Sequence, residues 1–229
     1  MAKHRKRLTK KELKEDQVAE FFMETVQYVR DNSKRVAGAI VLVIIAALIV
    51  TIAMRQRRAA EIEAKSWMAR ANLDLKQGNV SSALQAYTGI MDRFRGTWSH
   101  SDADFFMANA KFATGEPDSA LVLFEKYLGL KKRREEFTVS AKQGIAQCLE
   151  QTGRFRDAAE NYLKVQREHP GSPLAPDALL GAGRCYELAG DLRLAESTYS
   201  EIIELYPDSN QASLVKMPLL EIQAQLENS

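Results

Sequence analysis

Residues 146–162 read AQCLEQTGRFRDAAENY, and their pattern decides the fold. A small residue, Ala146, is followed seven places on by Gly153, then five later by Ala158 and four later by Tyr162. The same set occurs at Ala71, Gly78, Ala83 and Tyr87, at Ala108, Gly115, Ala120 and Phe124, and at Gly183, Gly190, Ala195 and Tyr199. Successive glycines stand 37, 38 and 37 residues apart. A fixed period of this length marks a tandem array in which each unit covers its apolar face with the next. Each residue type has a task in a helix-turn-helix unit. The glycine takes the tight turn, where a side chain strains the backbone. The small residues let two antiparallel helices approach, and the aromatic ring fills the space between neighbours. Pro170 and Pro207, seventeen places past the third and fourth glycines, end the second helices. The first unit is the least regular, with Arg95-Gly96 where a proline would fall.

Beyond the fourth unit, Val215, Leu219, Ile222 and Leu226 recur at helical spacing and read as a helix capping the last exposed face. Pro218 requires that helix to start near Met217, or to kink there. The 229 residues are 45% hydrophobic and 27% charged, which excludes disorder throughout. Two cysteines exclude a disulfide scaffold, and 12 glycines with 6 prolines argue against a many-turned all-β chain.

The net charge of +2 divides unevenly: residues 1–58 carry +7 and residues 59–229 carry −5. An acidic body is a poor partner for nucleic acid, which needs a clustered basic face. Val36 to Met54 is an uncharged run, VAGAIVLVIIAALIVTIAM. As a helix it is about 28 Å long, close to the hydrocarbon thickness of a bilayer. Lys34 and Arg35 precede it, and Arg55, Arg57 and Arg58 follow, so a membrane span is preferred over a buried soluble helix. A cleaved signal peptide is disfavoured by the 35 residues ahead of the run and by the lack of a clean small-x-small site after it.

The tail ahead of the span carries 10 Lys/Arg, against 5 in the first 20 residues after it. Counted over the whole tail, this places the N-terminus in the cytoplasm; counted over the nearest 20 residues, the bias reverses. The whole-tail count is preferred, because long C-terminal domains translocate largely regardless of charge. Thr9-x-x-Glu12 forms a capping box, and Val18, Phe21, Phe22, Val26 and Val29 then share one helical face. That face suits the membrane surface, either as lipid contact alone or as a docking stripe for an integral membrane partner. Asn32-Ser33 supplies a bend before the span. The expected organisation is a basic cytoplasmic tail with an amphipathic helix at 1–35, a transmembrane helix at 36–54 and the repeat domain at 59–229.

No catalytic, metal or cofactor site is expected. His4, His100 and His169 are scattered over the tail and two inter-repeat loops. Gly181-Ala-Gly183 lacks the strand that phosphate binding needs. Cys148 and Cys185 occupy the same place in successive repeats, so buried packing is preferred to a disulfide. Lys131-Lys132-Arg133-Arg134 is partly neutralised by Glu135-Glu136 and reads as a solvated loop, with lipid headgroups or an acidic partner as the other readings.

The four sets over residues 62–208 resemble the tetratricopeptide repeat, here three or four residues longer than the usual unit. The resemblance implies a tetratricopeptide-type solenoid of four repeats, so that with the span and the capping helix read above the expected chain is all-α: one N-terminal transmembrane helix, the solenoid, and a C-terminal capping helix. It further implies that first helices line a protein-binding face. Position nine of each repeat is Asn72, Asn109, Gln147 and Arg184; position five is Met68, Phe105, Gln143 and Leu180. Position two supplies Asp102, Ser140 and Asp177 in the second to fourth repeats. The lysine-then-asparagine pattern that clamps a C-terminal carboxylate is absent, because Met68 precedes Asn72 and Phe105 precedes Asn109.

The loops His169-Pro170-Gly171-Ser172-Pro173 and Tyr206-Pro207-Asp208-Ser209-Asn210 look like those of bacterial envelope assembly proteins. The layout of tail, span and repeats is similar to the YfgM family, the ancillary subunit of the SecYEG translocon. That likeness implies a single-pass inner-membrane protein with a periplasmic repeat domain. Its expected partners are the translocon, periplasmic chaperones or secreted clients, and its oligomeric state stays open. The alternatives are a scaffold of another envelope machine, in cell division or outer-membrane assembly, an enzyme or its regulatory subunit, and a cytoplasmic repeat domain on a reversed anchor.

Overall fold

The computed structural model describes residue 21 and residues 23–228. The first 20 positions, which hold most of the basic tail with Thr9, Glu12 and Val18, lie outside the described residues, as does Phe22. Every regular element among the described residues is a helix. Residues 23–31 are helical, and Asn32 is a turn residue before α1 (Ser33–Lys76). Then follow α2 (Val80–Arg93), α3 (Trp98–Ala113), α4 (Pro117–Gly129), α5 (Glu135–Gln151) and α6 (Phe155–Glu168). The last four are α7 (Ala175–Leu188), α8 (Leu192–Leu205), α9 (Asn210–Leu214) and α10 (Lys216–Glu227). The chain divides into two compact units that meet at Arg57 and Arg58.

In the first unit, the apolar window of α1 has none of its residues buried, and it is long and apolar enough to cross a membrane. Leu42 and Val43 are each 68% exposed. Phe21, Val26 and Val29 are also exposed.

In the second unit, the end of α1 pairs with α2, and the hairpins α3–α4, α5–α6 and α7–α8 follow in series. Each second helix also packs on the first helix of the next hairpin. The turns are near copies of one another. Gly78, Gly115, Gly153 and Gly190 have φ of +82°, +77°, +77° and +79°, a region closed to most side chains. The residue after each glycine donates its backbone N–H to the carbonyl five places back, as Asn79 to Asp74, Glu116 to Lys111, Arg154 to Leu149 and Asp191 to Tyr186. This closes each first helix and satisfies a carbonyl that its last turn leaves open.

The aromatic rings sit on backbone that carries no side chain. A Cβ added at Gly144 would stand 2.5 Å from the Phe124 ring, at Gly181 2.8 Å from Tyr162, and at Gly183 2.3 Å from Tyr199. The Gly181-Ala-Gly183 pair is therefore explained by ring packing. Cys148 and Cys185 are fully buried free thiols, and burial pushes them up to about 11 and about 12. Beyond the fourth hairpin, α9 and α10 break at Val215, and Pro218 falls within the first turn of α10, where its missing N–H leaves no helical bond unmade. Val215 and Ile222 are buried, and Leu219 and Leu226 pack at the edge of the same core.

Candidate protein-binding groove

On the first-helix face of the second to fourth repeats lies a depression of about 470 Å³. Its walls include Phe112 of α3, Gln147 and Glu150 of α5, Tyr162 of α6, and Arg184 and Leu188 of α7. Glu150 is the hub. Arg184 donates from Nε to Oε1 at 2.7 Å and from Nη2 to Oε2 at 2.9 Å. The Tyr162 hydroxyl donates to Oε2 at 2.8 Å. A guanidinium and a carboxylate meeting through two parallel bonds form a directional pair that a point charge does not reproduce. The bonds it donates to Glu150 hold the Arg184 guanidinium above its ordinary range, and burial, followed by the neighbouring Glu150 carboxylate, raises the Tyr162 hydroxyl. One repeat on, the Tyr199 hydroxyl donates to Glu187 at 3.0 Å.

Ser140 is half-buried, and the other ten residues expected to line the face divide into groups. Gln147 and Arg184 sit together in the depression. Asp177 is exposed and accepts a bond from the Gln211 side chain. Leu180 is half-buried at the edge of the core, and Gln143 is half-buried with Oε1 unpaired among the described residues. Asn72 accepts the Tyr87 hydroxyl at 2.6 Å, and Asn109 donates to the Phe105 carbonyl of its own helix at 2.7 Å. Three depart from the expectation. Met68 and Phe105 are each only 8% exposed, because they fill the cores of the first and second repeats. Asp102 is 5% exposed because it is consumed by an ion pair with Arg134. Glu150 and Tyr162 belong to the site without having been expected there; the signal was their position, three before and nine after Gly153, repeated at Glu187 and Tyr199.

No group of three His, Cys, Asp or Glu placed to hold a metal occurs among the described residues. The Tetratricopeptide repeat family model matches residues 144–210. The repeat domain has a tetratricopeptide-repeat fold.

Related proteins and structures agree at that level. The chain is 31% identical over 112 residues to Protein CTR9 homolog of Arabidopsis thaliana, and 34% identical over 77 residues to a TPR repeat-containing protein of Treponema pallidum (strain Nichols). The matches cover 49% and 34% of this chain but only 10% and 32% of those proteins. A tetratricopeptide repeat protein from Parabacteroides merdae superposes with TM-score 0.59 at 16% identity, over 72% of this chain and 61% of that one. YrrB, described as a TPR protein with an unusual peptide-binding site, superposes with TM-score 0.54 at 18% identity, over 67% of this chain and 74% of its own.

Between the second and third repeats of this tetratricopeptide domain the basic loop leaves Lys131 exposed, but two of its other cations are engaged, which corrects in part the reading of it as solvated. The Arg134 Nε donates to Asp102 at 2.7 Å, while Lys132 lies over the Trp98 ring at 4.8 Å and donates to the Gly96 carbonyl. The Tyr127 hydroxyl donates to the Arg134 carbonyl at 2.9 Å and accepts its N–H at 3.0 Å. The start of α3 is closed from both sides. Thr97 accepts the His100 N–H at 3.0 Å, and Glu61 of α1 accepts the Trp98 N–H at 2.7 Å and the Ser99 hydroxyl at 3.0 Å. Carboxylates at a helix start pair with N–H groups that have no partner within the helix. Loop and helix are thus clasped across 32 residues of sequence.

Proposed function

We propose that this chain is a single-span tetratricopeptide protein of a bacterial inner membrane, with a cytoplasmic N-terminus and a periplasmic domain that holds segments of other proteins. Its station is beside the SecYEG translocon or within a periplasmic chaperone network, and it works by binding, without chemical turnover. The observation that carries the reading is the depression of about 470 Å³ on the first-helix face, which combines apolar walls with an ordered polar hub. Tetratricopeptide folds are protein-interaction scaffolds, and stacked hairpins present such a face for extended segments. The peptide-binding site named for YrrB supports the same use of the fold. The uncharged window of α1, flanked by Lys34, Arg35, Arg55, Arg57 and Arg58, supports the anchor.

Two measurements test this. A photo-crosslinking residue at Gln151, exposed beside the depression, is expected to capture translocon subunits or exported polypeptides in cells. Capture of cell-division or outer-membrane assembly components alone would move the protein to another envelope machine. A single cysteine at the exposed Lys131, in a variant with Cys148 and Cys185 replaced by alanine, is expected to react with an impermeant maleimide in spheroplasts; protection would reverse the topology.

A further inference from the structure

The groove repeats its own binding motif once more without supplying the cation. Glu150 and Tyr162 stand three before and nine after Gly153; Glu187 and Tyr199 stand three before and nine after Gly190. Both tyrosines donate to their glutamates, at 2.8 and 3.0 Å. Glu150 also grips the Arg184 guanidinium at 2.7 and 2.9 Å, whereas no cation pairs with Glu187 among the described residues. The place that corresponds to Arg184 one repeat later is Glu221, 37 residues on. The register at that point is secure: Cys148, Cys185 and Ile222 are spaced by the same 37 residues, and all three are buried. The equivalent positions thus carry Glu150, Glu187 and Glu221, with Asp177 on the same helix as Glu187, and Arg184, the cation lining the depression among the described residues, is already held by Glu150. Leu188, 55% exposed, lies beside Glu187 and forms part of the apolar wall.

We infer that this end of the groove takes a basic segment of a partner protein, with an arginine guanidinium seated on Glu187 as Arg184 is seated on Glu150, and a neighbouring apolar side chain packed against Leu188. This rests on the protein-binding reading above and adds the chemistry of the occupant. The internal pair is the template: a tyrosine-oriented carboxylate in this fold accepts a guanidinium through two bonds, and the net negative face around Glu187 attracts one from outside. A lysine reaches the same carboxylate as a point charge and satisfies one oxygen.

Phage-displayed random dodecapeptides, panned on the full chain in nanodiscs, test the inference. The selected peptides are expected to be enriched in arginine next to an apolar residue. Synthetic copies in which that arginine is replaced by citrulline, its neutral isostere, should bind about tenfold or more weakly, as charge-assisted hydrogen bonds require. Two variants carry the argument on the protein side. Glu187→Gln keeps the Tyr199 bond and removes the charge; Glu221→Arg supplies the missing cation from within. Each should weaken the arginine peptide by a similar factor while the helical signal and the unfolding midpoint stay unchanged. Peptides without basic residues that still lose binding to Leu188→Asp would overturn the inference and leave the groove standing. Peptides indifferent to Leu188→Asp, Glu187→Gln and Glu221→Arg alike would overturn both.

Discussion

The first two repeats and the last two share one backbone period and hold it with different chemistry. In the second repeat, position five is Phe105, whose ring stacks on Phe137 at 4.8 Å and meets Phe106, Tyr127 and Phe124 at 5.3, 5.6 and 6.0 Å. In the third, position five is Gln143, half-buried and contributing no ring. Ion pairs link adjacent repeats throughout: Arg134, just ahead of α5, reaches back to Asp102 of α3, and Arg184–Glu150 and Arg156–Asp191 join the last two hairpins. The Tetratricopeptide repeat match at residues 144–210 falls on the half whose tyrosines, Tyr162 and Tyr199, donate to glutamates, where Tyr87 in the first repeat donates to an asparagine. The lesson is that the period is imposed by turn glycines and by bare backbone under rings. The face positions are then free to become core in one half and a groove in the other.

The sharpest way to break this contrast is at position five. Phe105→Ala is expected to cost about 3–5 kcal/mol, since it opens a cavity among four other rings. Gln143→Ala at the equivalent place should change stability by less than about 1 kcal/mol. Urea unfolding of the two variants in the same detergent measures the difference, and equal costs would abolish the distinction between core and groove. Next in size is Gly183→Ala. Its new Cβ would stand 2.3 Å from Tyr199, and the resulting overpacking should cost about 1–3 kcal/mol. Arg184→Ala comes third. Its guanidinium is half-exposed, so unfolding should shift by about 0–1 kcal/mol, while binding in the groove changes through the freed Glu150.

The smallest effect has opposite signs in the two halves. Burial raises the Asp102 carboxyl above its ordinary 3.8, so the folded state favours the proton. That contribution is full below the unfolded value and is lost as pH rises through the folded one. The Arg156 hydrogen bond holds Asp191 below 3.8, so its contribution is full above that value and is lost as pH falls through the folded one. Stability–pH curves of Asp102→Asn and Asp191→Asn, each subtracted from wild type, should slope in opposite directions; parallel curves would refute the assignment.

Much of the solenoid was legible because its determinants are local and periodic. Gly78, Gly115, Gly153 and Gly190 announce the turns by spacing alone, and each has the positive φ that only glycine adopts freely. The capping helix was legible for the same reason, with Pro218 marking its start. The groove was only half legible. Arg184 and Gln147 follow from position, but whether Phe105 and Met68 face outward depends on what the adjacent repeat brings against them, and Phe137 comes from a different hairpin. The clasp was not legible at all. A run of four cations looks solvated until folding places Asp102 and Trp98 beneath it.

The bonds that Glu61 accepts from Trp98 and Ser99 bear on how the molecule is divided. Glu61 stands three residues beyond Arg58, so a protease cutting after that arginine leaves the second repeat's opening turn sealed. A shortened version beginning at Ala64 removes the carboxylate and uncovers that turn, at about the 0.5–2 kcal/mol of a lost helix cap. The working edge of any fragment therefore lies on the N-terminal side of Glu61, well ahead of the first turn glycine.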